Sequence, residues 1–377
     1  MKLNSIQLLR AVAVSLVVYA HSIDLQMSFS MSRQQHFFYL QNFGAIGVDL
    51  FFVISGFVIT FVANQYVGAA AGGQFLVKRF LRINPGYYIA SLGYLCFSTA
   101  AVLVWHNPTS KLVSEPWHRL LQTLLIFPLN AVPGKRMPLL IVGWTLSFEW
   151  LFYGLFFLLI VSKSRRKPLL LIVLVAMLVL AGYIAHFHDN RLIFMTNPIL
   201  LEFLLGVIIC QVYTSTKVIP AVAAMALVLA GTGIYVYEIF HGYGNVSELQ
   251  FTMDGSLSLL RFLLWGLPSG LLVMGCVFLE KKQLFARVWN NKWIQLTGDA
   301  SYSIYLVHII VFSMLSQVHR RIKLNALPDL SIFLQLALAI AAGIAFYRLV
   351  EKPLLQRLQR KRPKPALAAA PGTINPL

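Results

Sequence analysis

Long apolar runs separated by short polar segments extend from one end of the chain to the other. The runs are 16 to 24 residues long, which is about the length of α-helix that crosses a hydrocarbon core of roughly 30 Å. They predict ten membrane spans, near residues 6–23, 44–65, 85–105, 143–161, 168–187, 198–213, 218–239, 257–280, 300–318 and 331–350. A shorter apolar piece, Leu120–Leu129, is interpreted as interfacial or re-entrant, with an eleventh span as the alternative.

Composition supports this pattern and overrules the soluble domains that 377 residues would otherwise suggest, because 58% of the residues are hydrophobic and only 12% are charged. The sequence predicts an all-α, polytopic membrane protein, a bundle of about ten transmembrane helices formed by residues 1–355. Residues 356–377 are expected to be a basic and then disordered cytoplasmic tail.

The net charge of +18 is distributed unevenly between the two sides of the predicted membrane. With the N-terminus inside, cytoplasmic segments hold 19 Lys and Arg and outer segments hold nine, so both termini are predicted to be cytoplasmic. This bias accounts for the charge without a nucleic-acid partner. Residues 1–20 also resemble a signal peptide, and cleavage there remains an alternative.

The cysteines and the spacing of possible metal ligands do not indicate a catalytic or metal-binding site. Cys96, Cys210 and Cys276 all lie in predicted spans and are interpreted as small packing residues. No metal-ligand spacing, phosphate-binding glycine loop or internal repeat is apparent, and no metal is predicted.

Ionisable residues inside the spans are costly and therefore informative. His21 and Asp24 are three residues apart at the end of the first span, so they share a helix face. Arg10 lies eleven residues before His21, so it points the same way about 16 Å lower. Alternatively, Arg10 extends to the inner surface and Asp24 is a solvated loop residue.

Two further motifs carry charge near the membrane surfaces. Arg79 and Arg82 in KRFLRINP, residues 78–85, suit phosphate binding, although positive-inside bias also explains them. The following segment, Asn84–Tyr88, is expected to be an irregular entry suited to a nucleotide or pantetheine arm. Glu149 in GWTLSFEWLFYG, residues 143–154, could orient His21, bind sugar hydroxyls or pair with Arg261.

Other polar positions allow a substrate-binding or a structural role. In GAIGVDLFFVISGF, residues 44–57, the glycines and Ser55 allow close helix approach, whereas Asp49 needs either a structural hydrogen bond or a site role. Tyr302 and His308 in SYSIYLVH, residues 301–308, and the EKP of residues 351–353 are interpreted mainly as packing and end-capping elements.

These motifs, in this order, resemble the acyltransferase 3 family of membrane-bound acyltransferases. The matching pieces are LLRAVAVSLVVYAH (8–21), GVDLFFVISGF (47–57), KRFLRINPGYY (78–88), WTLSFEWLFY (144–153), SYSIYLVH (301–308) and EKP (351–353). Within the family, the chain is most similar to exopolysaccharide-production proteins and polysaccharide O-acetyltransferases. It reads FEW at 148–150 where several relatives read VEE, so a second carboxylate is absent there.

The resemblance implies transfer of an acyl group, usually acetyl, from cytoplasmic acyl-coenzyme A to a sugar hydroxyl on the outer side of a bacterial inner membrane. It makes His21 the expected catalytic residue and associates Arg79 and Arg82 with the donor. We expect Asp24 or Glu149 to orient His21 as a general base, and Arg10 to help bind the coenzyme A. Direct transfer and an acyl-histidine intermediate remain open.

The expected partners are acyl-coenzyme A, a polysaccharide or lipid-linked glycan, and the bilayer, and a homo-oligomer is compatible with the sequence. The alternative function is a transporter or flippase for a glycan or its precursor, because buried acids and a histidine also suit proton relays. Internal symmetry typical of transporters is not apparent in the sequence.

Overall fold

Helices form all of the regular secondary structure in the part of the chain that the computed structural model describes, residues 3–29, 42–105, 116–126, 137–164, 166–215, 219–243, 245–321 and 328–360. Ten helical segments there are long and apolar enough to cross a membrane. The prediction of an all-α polytopic membrane protein with ten spans is therefore confirmed.

The helices follow the predicted spans closely, with short helices between some of them. In chain order they are α1 (Asn4–Met27), α2 (Ile46–Ala63), α3 (Ala69–Trp105), α4 (Pro116–Leu125), α5 (Gly143–Val161), α6 (Lys167–Ala185), α7 (Asn190–Met195), α8 (Leu200–Thr214), α9 (Ala221–His241), α10 (Leu249–Met253), α11 (Ser258–Arg261), α12 (Leu267–Lys281), α13 (Ala286–Trp289), α14 (Lys292–Asp299), α15 (Ser301–Arg321), α16 (Pro328–Phe346) and α17 (Lys352–Arg360).

Burial separates central from peripheral helices. In α2, 67% of the span is buried by other parts of the protein, whereas in α6 only 17% is buried. The spans of α3, α9 and α16 are also little buried, at 28%, 22% and 22%. The apolar side chains on these peripheral helices face outward, as expected where lipid rather than protein covers them.

Glycines let the central helices approach closely. A Cβ atom on Gly47 would lie 2.1 Å from the Ala13 carbonyl oxygen of α1, and one on Gly56 would lie 2.0 Å from the Phe203 carbonyl oxygen of α8. Neither gap leaves room for a methyl group, so α2 contacts both neighbours backbone to backbone. The packing role predicted for the glycines of this motif is confirmed.

Helix α3 corrects one expectation from the sequence. The irregular entry predicted at Asn84–Tyr88 is wrong, because α3 continues through Pro85 as one helix of 37 residues. Proline removes one backbone donor but does not force a break where neighbouring groups supply hydrogen bonds. Near the proline, the Tyr302 hydroxyl donates to the Ile83 carbonyl at 2.7 Å.

Some expectations fall partly outside the described residues. Helix α4 is ten residues long, about 15 Å, and is too short to cross a hydrocarbon core. The end of the predicted piece at residues 127–129 lies outside the described part, as does the tail from residue 361. All three cysteines are free thiols; Cys210 and Cys276 are buried, whereas Cys96 is exposed.

Two π-helical turns interrupt the α-helical backbone of the described residues. One, Phe262–Gly266, joins α11 to α12, and the other, Tyr347–Glu351, joins α16 to α17. The buried Arg261 directly precedes the first turn, and the buried Glu351 is the last residue of the second. A π turn widens the helix locally and often occurs at functional positions, since it redirects side chains.

Helices α1 and α15 run in the same direction, and their contacts distinguish the two ends of the bundle. Arg10 contacts Ser301 at the start of α15, whereas His21 contacts His308 further along the same helix. We call these the Arg10 end and the His21 end of the bundle.

Candidate active site

His21 and Asp24 form a pair at the His21 end, as their spacing predicts. His21 Nδ1 lies 3.4 Å from Asp24 Oδ2, and the two side chains are 43% and 49% exposed. The carboxylate therefore faces one nitrogen of the imidazole and leaves Nε2 facing elsewhere. Such a pairing favours the tautomer that carries its hydrogen on Nδ1.

Arg10 faces the same neighbouring helix as His21. Its Nε donates to the Ser301 hydroxyl at 3.1 Å. The guanidinium group lines a cavity rather than extending only to the surface. The shared face of α1 that the sequence predicts is therefore present in the fold.

A cavity of about 160 Å³ lies between α1, α2, α3, α5 and α15, and we call it the arginine cavity. Arg10, Arg79 and Arg82 line it, together with apolar and aromatic side chains such as Phe51 and Tyr305. It combines three positive charges with apolar walls, and it suits a ligand that has an anionic head and a slender chain.

Glu149 lines the arginine cavity. Its Oε1 accepts from the Ser55 hydroxyl at 2.8 Å, and its Oε2 accepts from the Tyr153 hydroxyl at 2.9 Å. The interpretation that Glu149 pairs with Arg261 is wrong, because Arg261 binds another carboxylate. Ser55 lines the cavity instead of serving only helix packing.

The two arginines of α3 differ in their partners. Arg82 NH1 contacts Glu351 Oε1 at 2.7 Å, and the other oxygen of that buried carboxylate accepts from the Ser303 hydroxyl. The guanidinium of Arg79 instead lies over the rings of Phe75 and Tyr153, at 5.5 and 5.9 Å from their centroids. Arg79 thus keeps more of its hydrogen-bonding capacity for a ligand.

A second cavity, of about 320 Å³, adjoins the first at the Arg10 end, and we call it the Lys352 cavity. Arg10 and Arg82 line both cavities. The other polar residues of this lining were not expected to form a site; they are Gln7, Asp299, Tyr347, Lys352 and Gln356. The three-residue spacing of Gln7 and Arg10 signals a shared helix face. Lys352 lies in the EKP motif, which was expected to have an end-capping role.

Asp49 and Arg261 form a buried ion pair separate from both cavities. Arg261 donates to both carboxylate oxygens, at 2.8 and 2.7 Å, and also to the Val246 carbonyl and the Thr252 hydroxyl. Asp49 therefore has the structural hydrogen bonds that were one of its two expected roles. Glu202, fully buried, places a second carboxylate near this pair.

Residues of α15 connect the arginine cavity to His21. Ser301, Tyr302 and Tyr305 line the cavity, and the Tyr305 hydroxyl lies 3.1 Å from that of Thr145. One turn further along the helix, the buried ring of His308 contacts Tyr305 and stacks on His21. The spacing of three and four residues places all these side chains on one face.

The described residues form no apparent metal-binding site. No group of three or more His, Cys, Asp or Glu side chains in them is placed to hold a metal ion.

Comparison with known proteins identifies the class to which this fold and site belong. A family model described as an acyltransferase domain, of the acyltransferase 3 type, matches residues 3–348. The chain belongs to the acyltransferase 3 family. Membership makes the chain a multi-pass membrane acyltransferase, as the motifs predicted. No solved structure matches the chain.

Two relatives match the chain over most of its length. The exopolysaccharide production protein ExoZ of Rhizobium meliloti is 31% identical over 326 residues, covering 86% of this chain and 94% of ExoZ. The peptidoglycan O-acetyltransferase OatA of Listeria monocytogenes is 25% identical over 381 residues, covering 93% of this chain but only 55% of OatA. The chain thus matches ExoZ almost end to end and spans about half the length of OatA.

Proposed function

We propose that this chain transfers an acyl group, acetyl in the first instance, from acyl-coenzyme A to a sugar hydroxyl of an extracellular or cell-surface polysaccharide. Similarity to an exopolysaccharide production protein and to a peptidoglycan O-acetyltransferase supports a glycan acceptor. We further propose a bacterial inner membrane location with both termini in the cytoplasm, supported by the distribution of Lys and Arg.

The observation that carries this proposal is the position of the arginine cavity. It is lined by Arg10, Arg79 and Arg82 and also by Tyr305, which contacts His308, the ring that stacks on His21. An anionic donor entering from the Arg10 end would direct its thioester toward His21 at the other end. The Lys352 cavity would receive the nucleotide part of the donor, because it adjoins two of the same arginines.

His21 acts as the general base in this proposal, and Asp24 holds its tautomer. His21 Nε2 takes the proton of the acceptor hydroxyl as the oxygen attacks the thioester carbonyl carbon. The carbon–sulfur bond then breaks, and the imidazolium returns the proton to the departing thiolate. Asp24 stabilises the imidazolium through Nδ1, since the carboxylate lies beside that atom.

Glu149 serves the donor and not the imidazole in this scheme. Its carboxylate is bonded to Ser55 and Tyr153 on the cavity wall, and it balances part of the positive charge of the three arginines. We propose that it shapes the passage for the pantetheine arm.

The deciding experiment compares the envelope glycans of a deletion strain complemented with the wild-type chain, with His21→Ala or with Asp24→Asn. We expect O-acetyl signals in NMR spectra with the wild-type chain, a loss of about 10²–10⁴-fold in rate with His21→Ala, and a smaller loss with Asp24→Asn. Immunoblots of the membrane fraction control for insertion.

Two outcomes would contradict the proposal. Full acetylation by a stably inserted His21→Ala chain would refute the role of this residue. Absence of the glycan itself from the surface of the deletion strain, instead of its unmodified form, would favour a transporter or flippase.

A further inference from the structure

His308 lies at the junction between the arginine cavity and His21. Its side chain is fully buried. Its ring stacks on His21, with centroids 5.3 Å apart and planes inclined by 24°, and it also contacts Tyr305 of the cavity wall at 5.8 Å. His308 therefore links the cavity wall to the expected catalytic residue.

The hydrogen bond of His308 within α15 determines which ring nitrogen can accept a hydrogen bond from a ligand. Nδ1 lies 3.3 Å from the carbonyl oxygen of Ile304, one turn earlier in α15. A carbonyl oxygen only accepts, so Nδ1 carries the hydrogen and Nε2 holds a lone pair. Nε2 is buried and has no hydrogen-bond partner among the described residues.

An acceptor atom left without a partner in a buried position costs free energy, so a native protein that keeps one usually has a use for it. Ring packing alone does not explain the nitrogen, because a phenylalanine would fill the same space. A hydrogen-bond donor on the substrate would satisfy Nε2 only while the substrate is bound.

We propose that His308 Nε2 accepts a hydrogen bond from the cysteamine amide N–H of the acyl-coenzyme A donor and thereby positions the thioester against His21. This inference rests on the donor assigned under the proposed function. The thioester carbon and the cysteamine nitrogen are separated by four covalent bonds, roughly 5 Å in an extended arm. The centroids of the His21 and His308 rings are 5.3 Å apart, so an arm held at His308 keeps its thioester near His21.

The site distinguishes this group from the acceptor hydroxyl. His308 is fully buried and contacts the cavity wall, whereas the His21 side chain is 43% exposed at the other side of the stack. The donor reaches His308 first from the cavity, and the acceptor sugar reaches His21 from the exposed side.

The test measures binding of acetyl-coenzyme A to the full chain in lipid nanodiscs. The competitor is an analogue in which an ester oxygen replaces the cysteamine N–H. We expect the wild-type chain to bind the analogue roughly three- to tenfold more weakly than acetyl-coenzyme A, because one hydrogen bond is lost. His308→Phe keeps the ring and should bind the two donors equally.

A matched pair of variants separates the two ring nitrogens and covers the case in which His308→Phe does not fold. The amide of His308→Gln extends to the position of Nε2, whereas that of His308→Asn extends only to that of Nδ1. We expect His308→Gln to retain part of the preference for the amide donor and His308→Asn to lose it.

The outcomes separate this inference from the proposed function. If the wild-type chain does not bind acetyl-coenzyme A, the proposed donor is wrong and the inference fails with it. If the wild-type chain binds acetyl-coenzyme A and His308→Phe, or His308→Asn in its place, prefers the amide donor as strongly, only the inference is overturned.

Discussion

The buried ion pair between Asp49 and Arg261 should contribute strongly to the stability of the bundle. The Arg261 guanidinium donates four hydrogen bonds, two of them to the Asp49 carboxylate. Hydrogen bonds to charged groups are each worth about 1.5–3 kcal/mol, and removing one partner of a buried pair costs about 3–5 kcal/mol. We therefore expect Asp49→Ala to lower the free energy of unfolding by about 3–5 kcal/mol.

Removing the arginine should cost more than removing the aspartate. Arg261→Ala also leaves the Val246 carbonyl and the Thr252 hydroxyl without their donor, and it isolates the Asp49 carboxylate beside Glu202. The double variant Asp49→Leu/Arg261→Met should be more stable than Arg261→Ala alone, because no unpaired charge is left from the pair.

Unfolding of the full chain by sodium dodecyl sulfate in mixed micelles, followed by circular dichroism, measures these differences. Glu248→Ala is the matched control, because Glu248 is exposed and its removal should change the free energy by no more than about 0.5 kcal/mol. The reasoning is refuted if Asp49→Ala is no more destabilising than this control. It is also refuted if the double variant loses the sum of the two single losses.

Three further changes test other parts of the structure. Lys352→Met should raise the KM for acetyl-coenzyme A several-fold, because Lys352 lines the cavity proposed for the donor. Arg348→Met, at an exposed position outside both cavities, is the control and should leave the KM unchanged. Equal effects of the two substitutions would exclude a specific donor contact. Gly206→Ala should destabilise the bundle by about 1–3 kcal/mol, since the added Cβ would lie 2.1 Å from a carbonyl oxygen of α2. Gly154→Ala, whose added Cβ would have nothing within 4 Å, should be neutral in the same unfolding assay. Glu149→Gln should lower the free energy of unfolding by about 1–3 kcal/mol, because one amide oxygen cannot accept in place of both carboxylate oxygens. The same substitution should leave the pH profile of kcat unchanged. A shifted profile would instead indicate that Glu149 acts on His21.

Hydropathy alone predicted the ten spans, because span length and apolar composition are local properties imposed by the bilayer. The shared face of Arg10 and His21 was equally predictable, since it depends only on the helical period. Pro85 was misjudged because local propensity opposes a helix there while the surrounding bundle maintains one.

Charge partners could not be assigned in the same way. Asp49 and Arg261 are 212 positions apart, and Arg82 and Glu351 are 269 positions apart. The cost of a buried charge predicts that each needs a partner, but it does not identify which of several candidates the fold brings close. Glu149 was one candidate for Arg261, and the fold placed it against two hydroxyl groups instead.

The π turn at Tyr347–Glu351 gives the C-terminal end of the bundle one spare residue. A π turn is in effect an α-helical turn that holds one extra residue, so deleting a single residue there can restore an ordinary turn without rotating the helix beyond it. Lys352 and Gln356 would then still face the cavity that they line. Inside a regular α-helix the same deletion would rotate everything beyond it by about 100°, so a single-residue deletion should be tolerated better at Tyr347–Arg348 than in the middle of α16.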